Sequence, residues 1–200
     1  MLRNPVKADW REARRQSARA TVLAAAWEMV RADGLAALSL RDLARHAGIT
    51  TPTVYAYFDS KNAIFDAMFG EAAQTFADSK AKVVDRGDPF ENLAADAKNF
   101  IEFCVSDVAR YQLLFQHSVP GFTPTPQSYA PAVRALELTR EQLARYGVRD
   151  PRHVDVWTAL LTGLVDQQIS NDPGGNRWTQ LVDDVVHMFL THCSHEQDHS

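Results

Sequence analysis

The feature that most constrains the fold is a helical spacing of apolar residues along nearly the whole chain of 200 residues. Val22, Ala26 and Met29 recur four and three residues apart, which is the pattern of an amphipathic helix. We expect helices at about 17–32, 40–47, 51–57, 60–82, 90–108, 109–117, 128–146, 151–171 and 176–193, separated by turns rich in Gly, Pro, Asp and Asn. No useful period-2 alternation is present, so the sequence predicts an all-α fold without a sheet.

Composition narrows the class of protein further. Hydrophobic residues make up 46% of the chain, which is ample for a core, yet no apolar run reaches the roughly 18 residues that a membrane helix needs. The N-terminal segment has basic residues but no apolar stretch, so we expect no secretory signal. Cys104 and Cys193 lie far apart without a CxxC pair, which favours free thiols and a cytoplasmic location.

Charge is divided unevenly between the two parts of the chain. Residues 1–61 hold ten Lys or Arg against six Asp or Glu, a net +4, and residues 62–200 hold eleven against nineteen, a net −8. A mildly basic head on an acidic body indicates a polyanion that binds at one end. The basic residues before the first predicted helix form either a DNA-contacting arm or a solvated, disordered tail, and we favour the tail; they are Arg3, Lys7, Arg11, Arg14 and Arg15.

Residues 39–61, SLRDLARHAGITTPTVYAYFDSK, contain two short predicted helices joined by a glycine turn. Ser39 is placed to cap the first helix, and Thr50 or Thr51 is placed to cap the second, with Pro52 in its first turn. Apolar residues give both helices a buried side, but the outer side of the second is unusually polar. This arrangement is typical of a helix-turn-helix, whose second helix fits the DNA major groove. The alternative is an αα-hairpin inside an ordinary bundle.

The residue types of this segment suit contacts with DNA. Thr side chains offer hydroxyls to base edges and methyls to thymine, which applies to Thr51 and Thr53. Tyr hydroxyls and the Lys61 ammonium suit phosphate oxygens, and Arg41 suits a guanine edge or a phosphate. These residue types permit a DNA-reading surface on the second helix, and the αα-hairpin stays open as the alternative.

Residues 35–68, LAALSLRDLARHAGITTPTVYAYFDSKNAIFDAM, resemble the DNA-binding domain of the TetR family of bacterial transcriptional regulators. Residues 18–34 are similar to the first helix, ending in ADG. SLRDLARHAGIT is similar to the supporting helix and turn, TPTVYAYFDSK to the recognition helix, and AIFDAM to the start of the connecting helix. The resemblance covers about the first third of the chain and is specific in order and spacing.

The resemblance implies an all-α protein with a three-helix helix-turn-helix domain, here residues 1–61, and a larger helical effector-binding and dimerisation domain, here residues 62–200. It implies a homodimeric repressor that binds double-stranded DNA at a palindromic operator and is released by a small effector. A helix-turn-helix regulator without an effector is the alternative. With the positions that the resemblance adds, the candidate DNA-binding residues are Arg41, Thr50, Thr51, Pro52, Thr53, Tyr55, Tyr57 and Lys61.

The last two predicted helices each carry a wide apolar side. Two such sides per subunit suffice for a four-helix interface across a two-fold axis, and Gly163 permits close helix approach. The alternative is that both sides are internal core, and with the resemblance we favour dimerisation through them. The residues are Val154, Trp157, Leu161, Leu164 and Val165 on one helix, and Leu181, Val182, Val185, Val186, Phe189 and Leu190 on the other.

Aromatic and polar residues in the middle of the second domain predict a pocket for an apolar or aromatic ligand with a few polar groups. Taken singly, each is better explained as core or surface. The loop 118–131, with four prolines, is either a lid or a plain connector. The candidate ligand-binding residues are Phe100, Phe103, Cys104, Tyr111, Phe115, His117, Phe122, Tyr129, Trp157, Asp166, Gln167 and Gln168.

Metal and catalytic sites are not expected. His187, His192, Cys193, His195 and His199 crowd the C-terminus, and imidazole with thiolate binds zinc, but we expect this polar chain end to fray. The sequence has no paired Glu-x-x-His motif, phosphate-binding glycine loop or nucleophile motif. We therefore expect no metal, no cofactor and no enzyme.

Overall fold

The computed structural model describes the backbone of residues 5–197 and the side chains of residues 10 and 13–194. Within that range the chain is helical and has no strand, which confirms the all-α fold. None of the described helices combines the length and apolar character that crossing a membrane requires. The helices are α1 Pro5–Asp33, α2 Leu40–His46, α3 Thr51–Tyr55, α4 Lys61–Ala81, α5 Pro89–Val105, α6 Val108–Phe115, α7 Pro126–Arg145, α8 Pro151–Asn171 and α9 Val182–Gln197, with 3-10 turns at Leu35–Ala37 and Thr179–Leu181.

Local sequence explains where most helices begin. Every helix from α2 to α8 starts after a Ser, Thr or Asp whose side-chain oxygen accepts a hydrogen bond from a backbone N–H two or three residues later. Such caps satisfy N–H groups that have no partner within the helix. Pro lies in the first turn of α3, α5, α7 and α8, where its missing N–H is not needed. The capping residues are Ser39, Thr50, Ser60, Asp88, Asp107, Thr125 and Asp150.

Several helix boundaries differ from the sequence-based expectation. Helix α1 begins at Pro5 instead of near residue 17, so the prediction of a disordered tail is wrong for residues 5–16, and Arg3 lies outside the described residues. Helix α7 takes in residues 126–131 of the expected loop and holds Pro131 inside it. Helix α9 begins at Val182, after the 3-10 turn, instead of near residue 176.

The N-terminal part packs α1, α2 and α3 around a small apolar centre. Val22 and Ala26 of α1, Leu43 of α2, Val54 of α3 and Phe58 are each at most 1% exposed. Helix α4 continues this core into the body, because it contacts both α1 and α7. One contiguous set of buried side chains therefore joins the two parts.

An ion pair at the surface also joins the two parts. Arg31, in the last turn of α1, lies 2.7 Å from the carboxylate of Asp107, which caps α6. The Asp107 side chain is 9% exposed and the Arg31 side chain is 51% exposed. Because an ion pair near the surface contributes little free energy, this contact orients the two helices more than it stabilises the fold. The end of α1 is thereby tied to the start of α6.

Most of the apolar residues predicted to form the dimer interface on α8 and α9 are buried inside the subunit, which corrects that assignment for them, whereas Leu181, Val185 and Leu190 are partly exposed. Trp157, Leu161 and Val165 of α8 are at most 4% exposed, and Val186 and Phe189 of α9 at most 2%. The Trp157 and Phe189 rings contact each other with centroids 4.9 Å apart. The apolar pattern was identified correctly, but the surface that covers it belongs to the same chain.

We predict that Phe58→Ala destabilises the protein by about 3–5 kcal/mol, because it opens a cavity in a core that buries this ring almost completely. The variant also removes the ring that Arg19 covers at 4.3 Å. The free energy of unfolding in urea measures the change. Tyr55→Ala, three residues away and 50% exposed, is the control and should stay within about 0.5 kcal/mol of wild type; equal losses in the two variants would contradict the packing described.

Candidate functional site

Helix α3 is anchored by one apolar residue and turns its polar residues outward. Val54 is fully buried, whereas Tyr55 is half exposed, Pro52 is exposed, and Thr51 and Thr53 are partly exposed. In a helix of five residues, one buried position leaves the neighbouring side chains on other faces. The structure therefore leaves the predicted DNA-binding residues of α3 at least partly exposed, around its single buried position.

The turn before α3 is fixed by backbone geometry. Gly48 has a φ of +68°, a left-handed conformation that glycine adopts without strain. The Ile49 N–H then donates to the Ala44 carbonyl at 2.9 Å. The Thr50 hydroxyl oxygen accepts from the Thr53 N–H at 3.3 Å and lies 2.8 Å from the Thr53 hydroxyl. Thr53 thus has a hydroxyl held by Thr50 and a methyl group left for contacts.

The segment after α3 is held by Arg19 of α1, a residue that sequence reasoning did not single out. Its guanidinium donates to the Tyr57 carbonyl at 3.0 Å and covers the Phe58 ring. Lys61, in the first turn of α4, donates to the Ala36 carbonyl at 3.4 Å and is partly exposed. Since these contacts join residues 25 to 38 positions apart, no local pattern reveals them.

The charged residues of α2 differ in their partners. Arg45 pairs with Asp42 at 2.8 Å, and His46 contacts Glu28 of α1 at 2.8 Å. Arg41 is exposed, and no ion pair to it is found in the part of the chain that the structure describes. Arg41 is therefore the cation of α2 that is available to an external anion.

A cavity of about 260 Å³ lies in the body between α4, α5, α6, α7 and α8. Of the predicted ligand-binding residues, Phe100, Phe115, Tyr129 and Trp157 line it. Tyr129 and Leu136 of α7 are also 48% and 37% exposed, so the cavity opens on the α7 side. The lining that sequence reasoning missed is Phe69, Ala73, Phe76, Lys80, Asp96, Leu114, Ala132, Ala135, Leu136, Thr139, Thr158 and Leu161.

Several predicted ligand-binding residues do not line the cavity and make other contacts, which corrects their assignment. The Tyr111 hydroxyl donates to Asp166 at 2.8 Å, and burial, with this bonded carboxylate, raises the pKa of Tyr111. Burial also raises the pKa of the Cys104 thiol. The Arg110 guanidinium lies over the Phe103 ring, 3.8 Å from its centroid. Burial lowers the pKa of Arg110. These side chains stabilise the α5–α6–α8 core.

The remaining predicted ligand-binding residues also lie away from the cavity lining. Phe122 packs on Phe65 with ring centroids 5.8 Å apart. His117 is exposed in the loop after α6, with a φ of 47°. Gln167 is exposed and accepts from Asn171, whereas Gln168 is buried and bonds to the backbone of Trp178. The loop after α6 is therefore packed against α4 through Phe122.

A buried ion pair stands at one end of the cavity. The Lys80 ammonium of α4 and the Asp96 carboxylate of α5 are 2.5 Å apart, with side-chain exposures of 6% and 4%. The same two residues also line a smaller cleft of about 140 Å³, together with Asn92, Gln142 and Arg145. The pair thus borders both the apolar cavity and this cleft.

Helix α4 is also tied to the start of α7. One Asp66 carboxylate oxygen accepts from the Thr125 N–H at 2.7 Å, and the other accepts from the Ser128 hydroxyl at 2.8 Å. Near this contact Gly70 approaches Ser128 so closely that a Cβ atom would lie 3.2 Å from its hydroxyl oxygen. These contacts hold the start of α7 against α4.

The C-terminal histidines do not form a metal site within the described part of the chain. There, no group of three or more His, Cys, Asp and Glu side chains is arranged to hold an ion. His187 stacks near Phe90 with centroids 4.3 Å apart, and His192 contacts His153. The side chains of His195 and His199 lie outside the described residues.

Comparison with known proteins gives a consistent result for the N-terminal part. Residues 22–68 match the family model of bacterial regulatory proteins of the tetR family. An HTH-type transcriptional regulator of Mycobacterium tuberculosis is 30% identical over 100 residues, which are 48% of this chain and 43% of that protein. The chain therefore matches less than half the length of this curated relative.

Solved structures extend the likeness to the body. A tetR-family transcriptional regulator from Streptomyces coelicolor has a TM-score of 0.72 at 19% identity, over 92% of this chain and 84% of that one. AibR, solved in complex with isovaleryl coenzyme A and operator DNA, has a TM-score of 0.64 at 16% identity, over 86% of this chain and 97% of that one. At these identities the likeness shows the fold alone.

Proposed function

We propose that this chain, which belongs to the TetR family of bacterial regulatory proteins through its N-terminal domain, is a homodimeric repressor that binds a palindromic operator and is released by a small effector. The observation that carries the proposal is the outward polar side of α3, held by buried Val54 and by the Thr50 cap. Sequence readout needs such a rigid helix in the major groove. An effector-free regulator is the second candidate, and the cavity in the body argues against it.

The DNA contacts fall into two kinds. Thr51, Thr53 and Tyr55 on α3 contact base edges, and Tyr57, Lys61 and Thr50 at the helix ends contact phosphates. Arg41, the exposed cation of α2, adds a further contact. Two subunits place their α3 helices about one helical turn apart, roughly 34–36 Å, which makes the operator palindromic.

We assign the dimer contact to the outward side of α8 and α9, since their inward sides are core. Val156 and Met188 are exposed at 39% and 66%, and Gly163 has no atom within 4 Å of where a Cβ would stand. An open glycine and exposed apolar side chains permit the close approach of a second copy.

We infer that the effector releases the operator DNA by changing the position of α4. This helix carries Lys61 at its first residue, Asp66 at the contact with α7, and Phe69, Phe76 and Lys80 along the cavity. A ligand that fits the cavity better in one arrangement of α4 and α7 shifts the population toward that arrangement. The effector lowers operator affinity when the favoured arrangement has the wrong spacing of α3 helices.

The experiment that tests the function is selection from random duplex DNA. The purified protein retains sequences from a pool, and the retained duplexes are sequenced. Recovery of a palindrome supports a dimeric regulator. Retention without a shared sequence, or no retention, rules the proposal out.

We predict different effects for the two kinds of DNA contact. Lys61→Ala should weaken binding to the recovered operator and to random DNA alike and lower the slope of log affinity against log salt by about 1. Tyr57→Phe should likewise weaken binding to both. Thr53→Ala should lose about 1–3 kcal/mol on the operator and little on random DNA, because it alters base readout.

Affinities from fluorescence anisotropy at several salt concentrations measure these effects. Thr75→Ala is the matched control, since Thr75 is an exposed threonine of α4 whose hydroxyl bonds within its own helix. If Thr53→Ala loses the same affinity for operator and for random DNA, the assignment of Thr53 to base readout is wrong.

Met188→Glu should weaken the dimer by about tenfold or more, because it puts a charge in an apolar contact. Sedimentation velocity over a range of concentrations measures the dimer dissociation constant. Val84→Glu, a similar change at a residue that is 71% exposed outside α8 and α9, should leave it unchanged. Indistinguishable dimers for both variants and wild type would move the contact elsewhere.

A further inference from the structure

The chemistry of the cavity wall restricts the kind of molecule that the cavity accepts. Three aromatic rings stand at steep angles to one another: the Phe76, Phe100 and Phe115 centroids are 5.4–5.7 Å apart with interplanar angles of 69–89°. Trp157 and Leu161 complete the apolar wall. Rings in this arrangement offer both faces and edges, which favours an aromatic guest over a flexible chain.

Polar groups in the wall are few and mostly occupied. The Thr139 and Thr158 hydroxyls donate to the carbonyls of Ala135 and Val154 in their own helices, so toward the cavity they offer only acceptor lone pairs. Tyr129 stacks on Phe69 at the open side. The Lys80–Asp96 pair is therefore the deep polar feature of the wall.

The pair has zero net charge, and this decides the charge of the guest. An ammonium has three N–H donors, and Lys80 gives one of them to Asp96. A carboxylate or an amine placed beside the pair would add a third, uncompensated charge in a place where charges are poorly solvated. The neighbouring cleft does not compensate this third charge, because its Arg145 already pairs with Asp85 at 3.3 Å.

A hydroxyl group matches the pair without adding charge. Its oxygen accepts from the Lys80 ammonium while its hydrogen is donated to the Asp96 carboxylate. The cavity volume limits the size of the ligand. A cavity of about 150 Å³ admits benzene. By the same scale, a cavity of about 260 Å³ admits roughly ten non-hydrogen atoms.

We propose that the cavity binds an uncharged aromatic alcohol or phenol of about this size, with its hydroxyl on the Lys80–Asp96 pair and its rings among Phe76, Phe100 and Trp157. That this molecule is the effector rests on the proposed function, whereas its binding to the body does not.

The test is a series of probes that share one ring system and differ in charge. Titration calorimetry on the full chain, without DNA and at neutral pH, compares 2-naphthol, naphthalene, 2-naphthoate and 2-naphthylmethylammonium. We expect 2-naphthol to bind about tenfold or more tightly than naphthalene, because its hydroxyl bonds to charged groups, and more tightly than both charged probes. A charged probe that binds as tightly as 2-naphthol, equal binding of naphthalene and 2-naphthol, or no binding of any probe overturns the proposal.

A double variant tests whether the pair is responsible. Lys80→Met with Asp96→Leu replaces the pair by apolar side chains of similar size, a change that buried ion pairs commonly tolerate. The preference for 2-naphthol over naphthalene should vanish. The same double change at the exposed pair Lys98–Asp183 should leave the preference intact. If the cavity variant does not fold, the wild-type probe series still decides.

The two proposals fail in different assays. A protein that selects a palindromic operator but binds none of the probes refutes the ligand assignment alone. A protein that prefers 2-naphthol but retains no specific DNA refutes the regulatory function alone.

Discussion

The packing of α4 is the constraint on which the rest of the structure depends. Over its 21 residues this helix extends about 30 Å, and it is the element that contacts α1 at one end and α5, α6 and α7 along the body. Ile64, Phe65 and Met68 are fully buried on it, so its position relative to α1 is fixed by close packing. The helix-turn-helix therefore has little freedom to move independently of α4.

Local patterns predicted local structure well, because caps and turns depend on residues close in sequence. Ser39 caps the helix that it was expected to cap, and of the two candidates for the next helix, Thr50 and Thr51, Thr50 is the cap. The start of α1 was missed because residues 5–16 are mostly charged or polar, although their Ala, Arg, Glu and Gln are good helix formers. Helix propensity is consistent with the extension of that helix to Pro5.

Partners far apart in sequence explain the errors in the site and in the interface. The apolar sides of α8 and α9 predicted burial correctly, but a pattern states that a surface is covered and not whether the same chain or a second copy covers it. Phe100 and Trp157 line the cavity. The Tyr111 hydroxyl instead donates a hydrogen bond to Asp166, 55 positions away. The Lys80–Asp96 pair joins two helices and leaves no local signal.

That ion pair is informative because it is a poor way to stabilise a core. Apolar residues of the same size in its place are commonly neutral or stabilising, so stability alone does not account for the pair. It sits on α4, the helix whose first residue is Lys61 beside α3. A molecule that bonds to Lys80 thus acts on the helix that carries a proposed phosphate contact at its other end. Recognition in the cavity and positioning of the DNA-binding helices are then linked through one rigid element, and no chain of intermediate contacts is needed.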